Sequence, residues 1–125
     1  MLSDHPIDPI LLAPDLKESK SFYSQKLGLE ILSENEQTVI FKCGGDSRLV
    51  VSASTTGTAD EQTQVAWRVD DLARELAALR SRGVQIMEYD TPELKTENGI
   101  VDTGDALHAW IVDPGNNVLG IDQHK

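Results

Sequence analysis

One phrase occurs twice in this chain, 56 residues apart. The first copy is Asp8 to Leu16 (DPILLAPDL) and the second is Gln64 to Leu72 (QVAWRVDDL). In each copy an apolar run meets an Asp-Leu pair. About a dozen residues of helical pattern follow, then a glycine (Gly28 or Gly83) and another apolar run. Self-similarity at a fixed spacing marks a repeated supersecondary unit. In 125 residues it leaves room for two such units and little else. Residues 8 and 64 therefore hold equivalent places in the two halves, and a functional site is expected where the halves face each other.

The remaining pattern fills in both halves. The first opens with a strand over 7–13. Asp15 then caps a helix that runs to about residue 27, where Gly28 stops it. Leu16, Phe22, Tyr23 and Leu27 form its apolar stripe. Strands are expected over 29–33, 38–42 and 48–52, separated by turn-forming residues at 34–36 and 44–46. Residues 54–62 are small and polar and read as a linker. The second half repeats the order: a strand over 63–69, then a helix over about 71–82 with Leu72, Leu76 and Leu79 on one face. Gly83 is its stop, and a strand over 84–89 is expected next. A long loop runs from 90 to about 105, and strands over 107–112 and 118–122 flank a tight turn at 113–117. The expected fold is α+β, one domain over 6–123. Module one is about 6–53, the linker 54–62 and module two about 63–123, each of βαβββ order.

Charge and cysteine content narrow the partners. A formal net charge of −10 repels phosphate backbones, so nucleic acid is not an expected partner. Cys43 is the single cysteine, which rules out an internal disulfide and suits a reducing, cytoplasmic compartment. The N-terminus lacks a basic region followed by a long apolar stretch. No signal peptide, membrane span or membrane partner is expected.

These words in this order resemble the vicinal oxygen chelate superfamily, which contains glyoxalases, extradiol dioxygenases, and fosfomycin and bleomycin resistance proteins. The matching residues are Pro14-Asp15-Leu16 with Phe22-Tyr23 and Leu27-Gly28-Leu29, then Val69-Asp70-Asp71-Leu72 with Arg82-Gly83-Val84. The third set is Ala109-Trp110-Ile111-Val112-Asp113-Pro114, followed by Asn117. The resemblance covers about residues 7–123. It implies two βαβββ modules whose half-barrel sheets enclose a shared cavity, the glyoxalase/bleomycin resistance fold. It implies the fold and not one reaction, because several chemistries and some pure binders share it.

The resemblance also implies where a divalent metal is usually held. The first-strand ligand, usually His, precedes the Asp of the Asp-Leu pair by seven residues, at Asp8 and Gln64 here. The closing-strand ligand, usually Glu, follows the Asp of the Asp-Pro turn by seven residues, at Gly120 here. Its counterpart in the first half falls at Val51 or Ser52. Asp8 is a fair oxygen ligand, Gln64 carries no charge and Gly120 has no side chain. A catalytic metal needs about three protein ligands and an open position. No cofactor is expected on this basis. The alternative is a divalent metal held by Asp8, Gln64 and His108.

Side chains alternate along a strand, so the ligand positions set the parity of the cavity lining. Asp8, Ile10 and Leu12 point inward with one another, as do Gln64, Ala66 and Arg68. Val118 and Asp122 share the face of Gly120, and His108 and Trp110 share a face of the neighbouring strand. Trp67 has the opposite parity and faces the helix. Arg68 either pairs with Asp122 or Asp8 or receives a ligand's carboxylate. Asp122 is a substitute carboxylate or a structural partner. His108 is a structural histidine, a proton acceptor or a substitute ligand. The bland reading of Trp110 is a pocket wall. His5 and His124 read as surface residues, and the loop over 90–105 reads as a cover for the cavity mouth.

Two functions follow. One is metal-independent binding of a small apolar or aromatic molecule, as in bleomycin resistance. The other is a divalent-metal enzyme, either a glyoxalase-like lyase or isomerase or an extradiol dioxygenase. The ligand positions weigh toward the first and leave catalysis unassigned, with His108 as its one candidate. The resemblance implies a homodimer.

Overall fold

Asp15 starts the first helix in the computed structural model, which describes residues 1–125. Its carboxylate accepts a hydrogen bond from the Glu18 amide at 3.1 Å, satisfying one of the helix's orphan donors. Helix α1 spans Leu16–Ser21 and continues as a π-helical turn over Phe22–Lys26, closed by the Leu27 amide on the Phe22 carbonyl. Gly28 follows at φ +73°, a conformation that costs other residues steric strain.

The chain divides into two compact units, Met1–Asp60 with Pro114–Asn117, and Glu61–Asp113 with Val118–Lys125. The first unit carries β1 (Ile10–Ala13), β2 (Glu30–Glu34), β3 (Thr38–Lys42) and β4 (Arg48–Ala53), in the sheet order β1-β4-β3-β2. β1 runs parallel to β4, and the other pairs are antiparallel. The second unit carries β5 (Thr63–Arg68), helix α2 (Leu72–Ser81), β6 (Val101–Asp102), β7 (Ala106–Val112) and β8 (Val118–His124), in the order β5-β8-β7-β6. Here β5 is parallel to β8 and the rest is antiparallel. The same strand order in both units is the structural form of the repeated phrase, and the fold is α+β as expected.

Each sheet buries the face that meets its helix. In the first unit Leu11, Val39, Phe41, Leu49 and Val51 are buried, with Tyr23 against Phe41 at a ring separation of 5.5 Å. The opposite face leaves Ile10 61% and Leu12 37% exposed. Ser19 of α1 is fully buried and its hydroxyl has no hydrogen-bond partner. Ser19→Ala removes that unsatisfied group and adds helix propensity. It is expected to raise stability by about 1 kcal/mol in urea unfolding, and a loss of stability would show that the hydroxyl is satisfied in solution.

Helix α2 begins at the Asp71 cap, whose carboxylate accepts from the Arg74 amide, and buries Leu72 and Leu76. It ends in a Schellman motif. Gly83, at φ +81°, donates to Arg80 while Val84 donates to Leu79.

The second unit departs from expectation after this point. The segment over 84–89 begins with buried Val84 and Ile86 on either side of exposed Gln85, as a strand does, yet it forms no ladder. Its one bond to the sheet is the Met87 amide on the Trp110 carbonyl. The Tyr89 amide is taken by the Thr96 hydroxyl, and the Thr96 amide returns to the Tyr89 carbonyl, both at 2.9 Å. The segment therefore turns back on its own loop. The sheet edge it leaves is occupied by β6, with Val101 opposite His108 and Asp102 opposite Leu107. The expected long loop is thus partly ordered. Asn98 and Gly99, both at positive φ, make a tight reversal between the bridged residues Glu97 and Ile100. No helix is long and apolar enough to cross a membrane.

Candidate functional site

The helix-free face of the second sheet collects most of the chemistry. Register places three rows across β5, β8 and β7: Thr63, Val118 and Val112; Ala66, Gly120 and Trp110; Arg68, Asp122 and His108. Register puts Ala66, Arg68, His108, Trp110, Val118 and Asp122 on one face. Trp67 lies on the other face in register with buried Ile121.

Gln64 is displaced by a bulge between Thr63 and Val65. A bulge adds a residue without a partner and re-aims its neighbours. Gln64 turns its amide to the Gln62 carbonyl at 3.0 Å, and Thr63 takes the place in the row.

Thr63 then does something parity alone does not reveal. Its hydroxyl accepts a hydrogen bond from Trp110 Nε1 at 3.1 Å. Thr63 is on β5 and Trp110 on β7, so the bond spans β8. It passes over Gly120, where a Cβ would lie 3.1 Å from the Thr63 methyl and 3.2 Å from the Ala66 Cβ. The indole is a strap across the sheet, and residue 120 must be small for it to close. Tyr89 meets the indole edge-on at 5.5 Å, and the His108 ring lies 6.2 Å away and near parallel.

His108 is engaged at both nitrogens. Nδ1 is 2.8 Å from Asp122 Oδ1, and Nε2 is 3.1 Å from the Thr103 hydroxyl. That hydroxyl also lies 2.9 Å from Asp105 and holds its carboxyl below the usual carboxylate range. The ring is fixed, with neither nitrogen free. Arg68 is exposed and makes no ion pair, although Asp122 is its register partner.

On the first unit, Asp8 receives Nε and Nη2 of Arg48. This paired guanidinium holds the Asp8 carboxyl below its ordinary range. Ile10 and Leu12 share one exposed face, where Ser52 lies opposite Leu12, while Val51 is buried on the other. His5 and His124 are exposed.

A family model described as the glyoxalase/bleomycin resistance protein/dioxygenase superfamily matches residues 4–120. The chain belongs to this superfamily. Solved structures of superfamily character share the fold at low identity. The bleomycin-binding protein complexed with bleomycin is 24% identical, covering 97% of this chain and 99% of that one, at a TM-score of 0.74. Lactoylglutathione lyase from Agrobacterium tumefaciens is 18% identical, covering 95% and 92%, at 0.71. A glyoxalase family protein from Bacillus anthracis is 18% identical, covering 97% and 96%, at 0.75. No curated protein matches the chain.

Superfamily members commonly use a divalent metal, and the donors here do not fit one. Asp8 is held by Arg48, Gln64 by the Gln62 carbonyl and His108 at both nitrogens. Gly120 lies under the Trp110–Thr63 strap and supplies no donor. No three His, Cys, Asp or Glu side chains gather closely enough to hold an ion. Sequence reasoning missed Thr63, Tyr89 and Thr103. Asn98-Gly99 was a legible hairpin signal for the loop that carries Thr103 to the sheet edge, whereas nothing local announced the bulge.

Proposed function

We propose that this superfamily member binds a small apolar or aromatic molecule without a metal. The binding surface is the helix-free face of the second sheet, with Ala66, Arg68, His108, Trp110, Val118 and Asp122 as its residues and Thr63 as the indole's anchor. The observation that supports this most is the Trp110–Thr63 strap over Gly120. It puts a large, oriented apolar plane where the superfamily's usual pattern calls for a carboxylate. A mostly apolar surface with a few fixed polar groups is the ordinary form of a small-molecule site. The bleomycin-binding relative is a precedent for binding by this fold. A homodimer belongs to the same reading, because superfamily members are often dimers.

Two measurements test it. Protein purified without chelator should carry no stoichiometric zinc, nickel, manganese or iron, and such a metal would favour the enzyme reading instead. In a Trp67→Phe background, Trp110 is the sole indole and reports binding directly. Across a panel of quinones and planar antibiotics, at least one compound should quench it. Trp110→Ala, followed by calorimetry, should weaken that compound roughly tenfold or more, as loss of a central aromatic contact does. Unchanged affinity would move the site elsewhere.

A further inference from the structure

Arg68 is the residue of this face that the preceding reading leaves unused. It is the one Lys or Arg in the three rows, in a chain with 21 acidic and 11 basic side chains. Its register partner is a carboxylate, Asp122, and exposed arginines beside carboxylates ordinarily pair with them. Here Asp122 Oδ1 is committed to His108 Nδ1 at 2.8 Å, and Arg68 forms no ion pair. The other cations in close contact are satisfied: Arg48 by Asp8, Lys20 by Glu34, Lys125 by Asp102 and Arg80 by the Asn98 carbonyl. Arg68 has its five donors available on the face that carries the indole.

We propose that Arg68 selects ligands that combine a flat aromatic ring with an acidic group, the ring resting on Trp110 and the acid on the guanidinium. This rests on the small-molecule reading above and names its ligand class. The geometry suits the pair. Arg68 and Trp110 stand on diagonal corners of adjacent rows, two strands and one pleat repeat apart, which is about 12 Å between backbones. The indole reaches toward Thr63, in the row away from Arg68, and the span between guanidinium and indole takes a two-ring acid. The floor beneath is Ala66 and Gly120, the two smallest residues of the three rows. The bidentate fork of arginine matches a carboxylate and gives orientation as well as affinity. The His108–Asp122 bond engages one oxygen of the neighbouring carboxylate, and Arg68 stands unpaired beside it.

The test uses two probes of one shape, 2-naphthoate and its neutral amide, 2-naphthamide, titrated calorimetrically into the full chain. The wild type should prefer the acid by about tenfold or more, the scale of a charged hydrogen-bonded contact. Arg68→Met keeps the aliphatic stem and should erase that preference while leaving naphthamide affinity within about twofold. Trp110→Ala should weaken both probes together. Equal binding of the two probes by the wild type, or a preference that survives Arg68→Met, overturns the proposal and leaves the small-molecule reading standing. Failure of both probes to bind, when the quinone and antibiotic panel also fails, overturns that reading and the proposal with it.

Discussion

Gly120→Glu is expected to lose about 3–5 kcal/mol of stability, although it restores the carboxylate that the superfamily usually carries at that position. The cause is local. Gly120 is buried, and even its Cβ would sit 3.1 Å from the Thr63 methyl and 3.2 Å from the Ala66 Cβ. The rest of a glutamate must share the space across which the Trp110 indole reaches Thr63. Overpacking a tight position costs about 1–3 kcal/mol, and an uncompensated buried charge adds to it. For a chain of this size the midpoint of thermal unfolding should fall by roughly 10–20 °C. Two readouts separate mechanism from mere damage. The Trp110 indole proton should lose the chemical shift set by its bond to Thr63, and the emission of a Trp67→Phe background should move to the red. A variant that keeps its stability and takes up one divalent ion would show that the position is open and the strap incidental.

Asn117→Ala should cost about 2–4 kcal/mol, the second largest effect. Asn117 is 1% exposed. Its Nδ2 donates to the Leu12 carbonyl at 2.9 Å, and its Oδ1 accepts from the Thr58 hydroxyl. Both partners belong to the first unit, as does the turn itself. Gly115 allows the close approach, since a Cβ there would fall 2.6 Å from the Leu12 carbonyl oxygen. Truncation leaves a carbonyl and a hydroxyl without their partner, and each unsatisfied buried group costs about 1–3 kcal/mol. Asn117→Asp keeps the shape but replaces the donor with an acceptor facing the Leu12 carbonyl. A loss close to that of the alanine variant would assign the effect to hydrogen bonding and not to a cavity. A cost under about 1 kcal/mol in both variants, read by urea unfolding, would show that the turn is held by other contacts.

The candidate face is partly legible in the chain. Parity from the ligand positions groups Ala66 with Arg68 and Val118 with Asp122, and the helix-facing place of Ile111 groups His108 with Trp110, because strand alternation is a local property. The strand expected over 84–89 shows the limit of the same logic. Its alternation of Val84 and Ile86 with polar residues is real, and the burial follows it. Its hydrogen bonds went to Thr96, a competitor supplied by the loop. Arg68 makes no ion pair, although it stands in register with Asp122. Asp122 has one near partner in register on each side, and His108 takes it.

Two βαβββ units, their helix caps at Asp15 and Asp71 and the glycine stops at Gly28 and Gly83 are legible in the chain alone. These follow from periodicity, backbone sterics and residue identity, all of which act over a few neighbours. The tertiary structure alone decided that Thr63 replaces Gln64 in the row and that the indole of Trp110 closes over Gly120. It alone decided that Asn117 fastens its turn to the first unit. Each of these depends on which strand pairs with which and where a bulge falls, and such long-range register is set by the packing of whole elements rather than by any one stretch of chain.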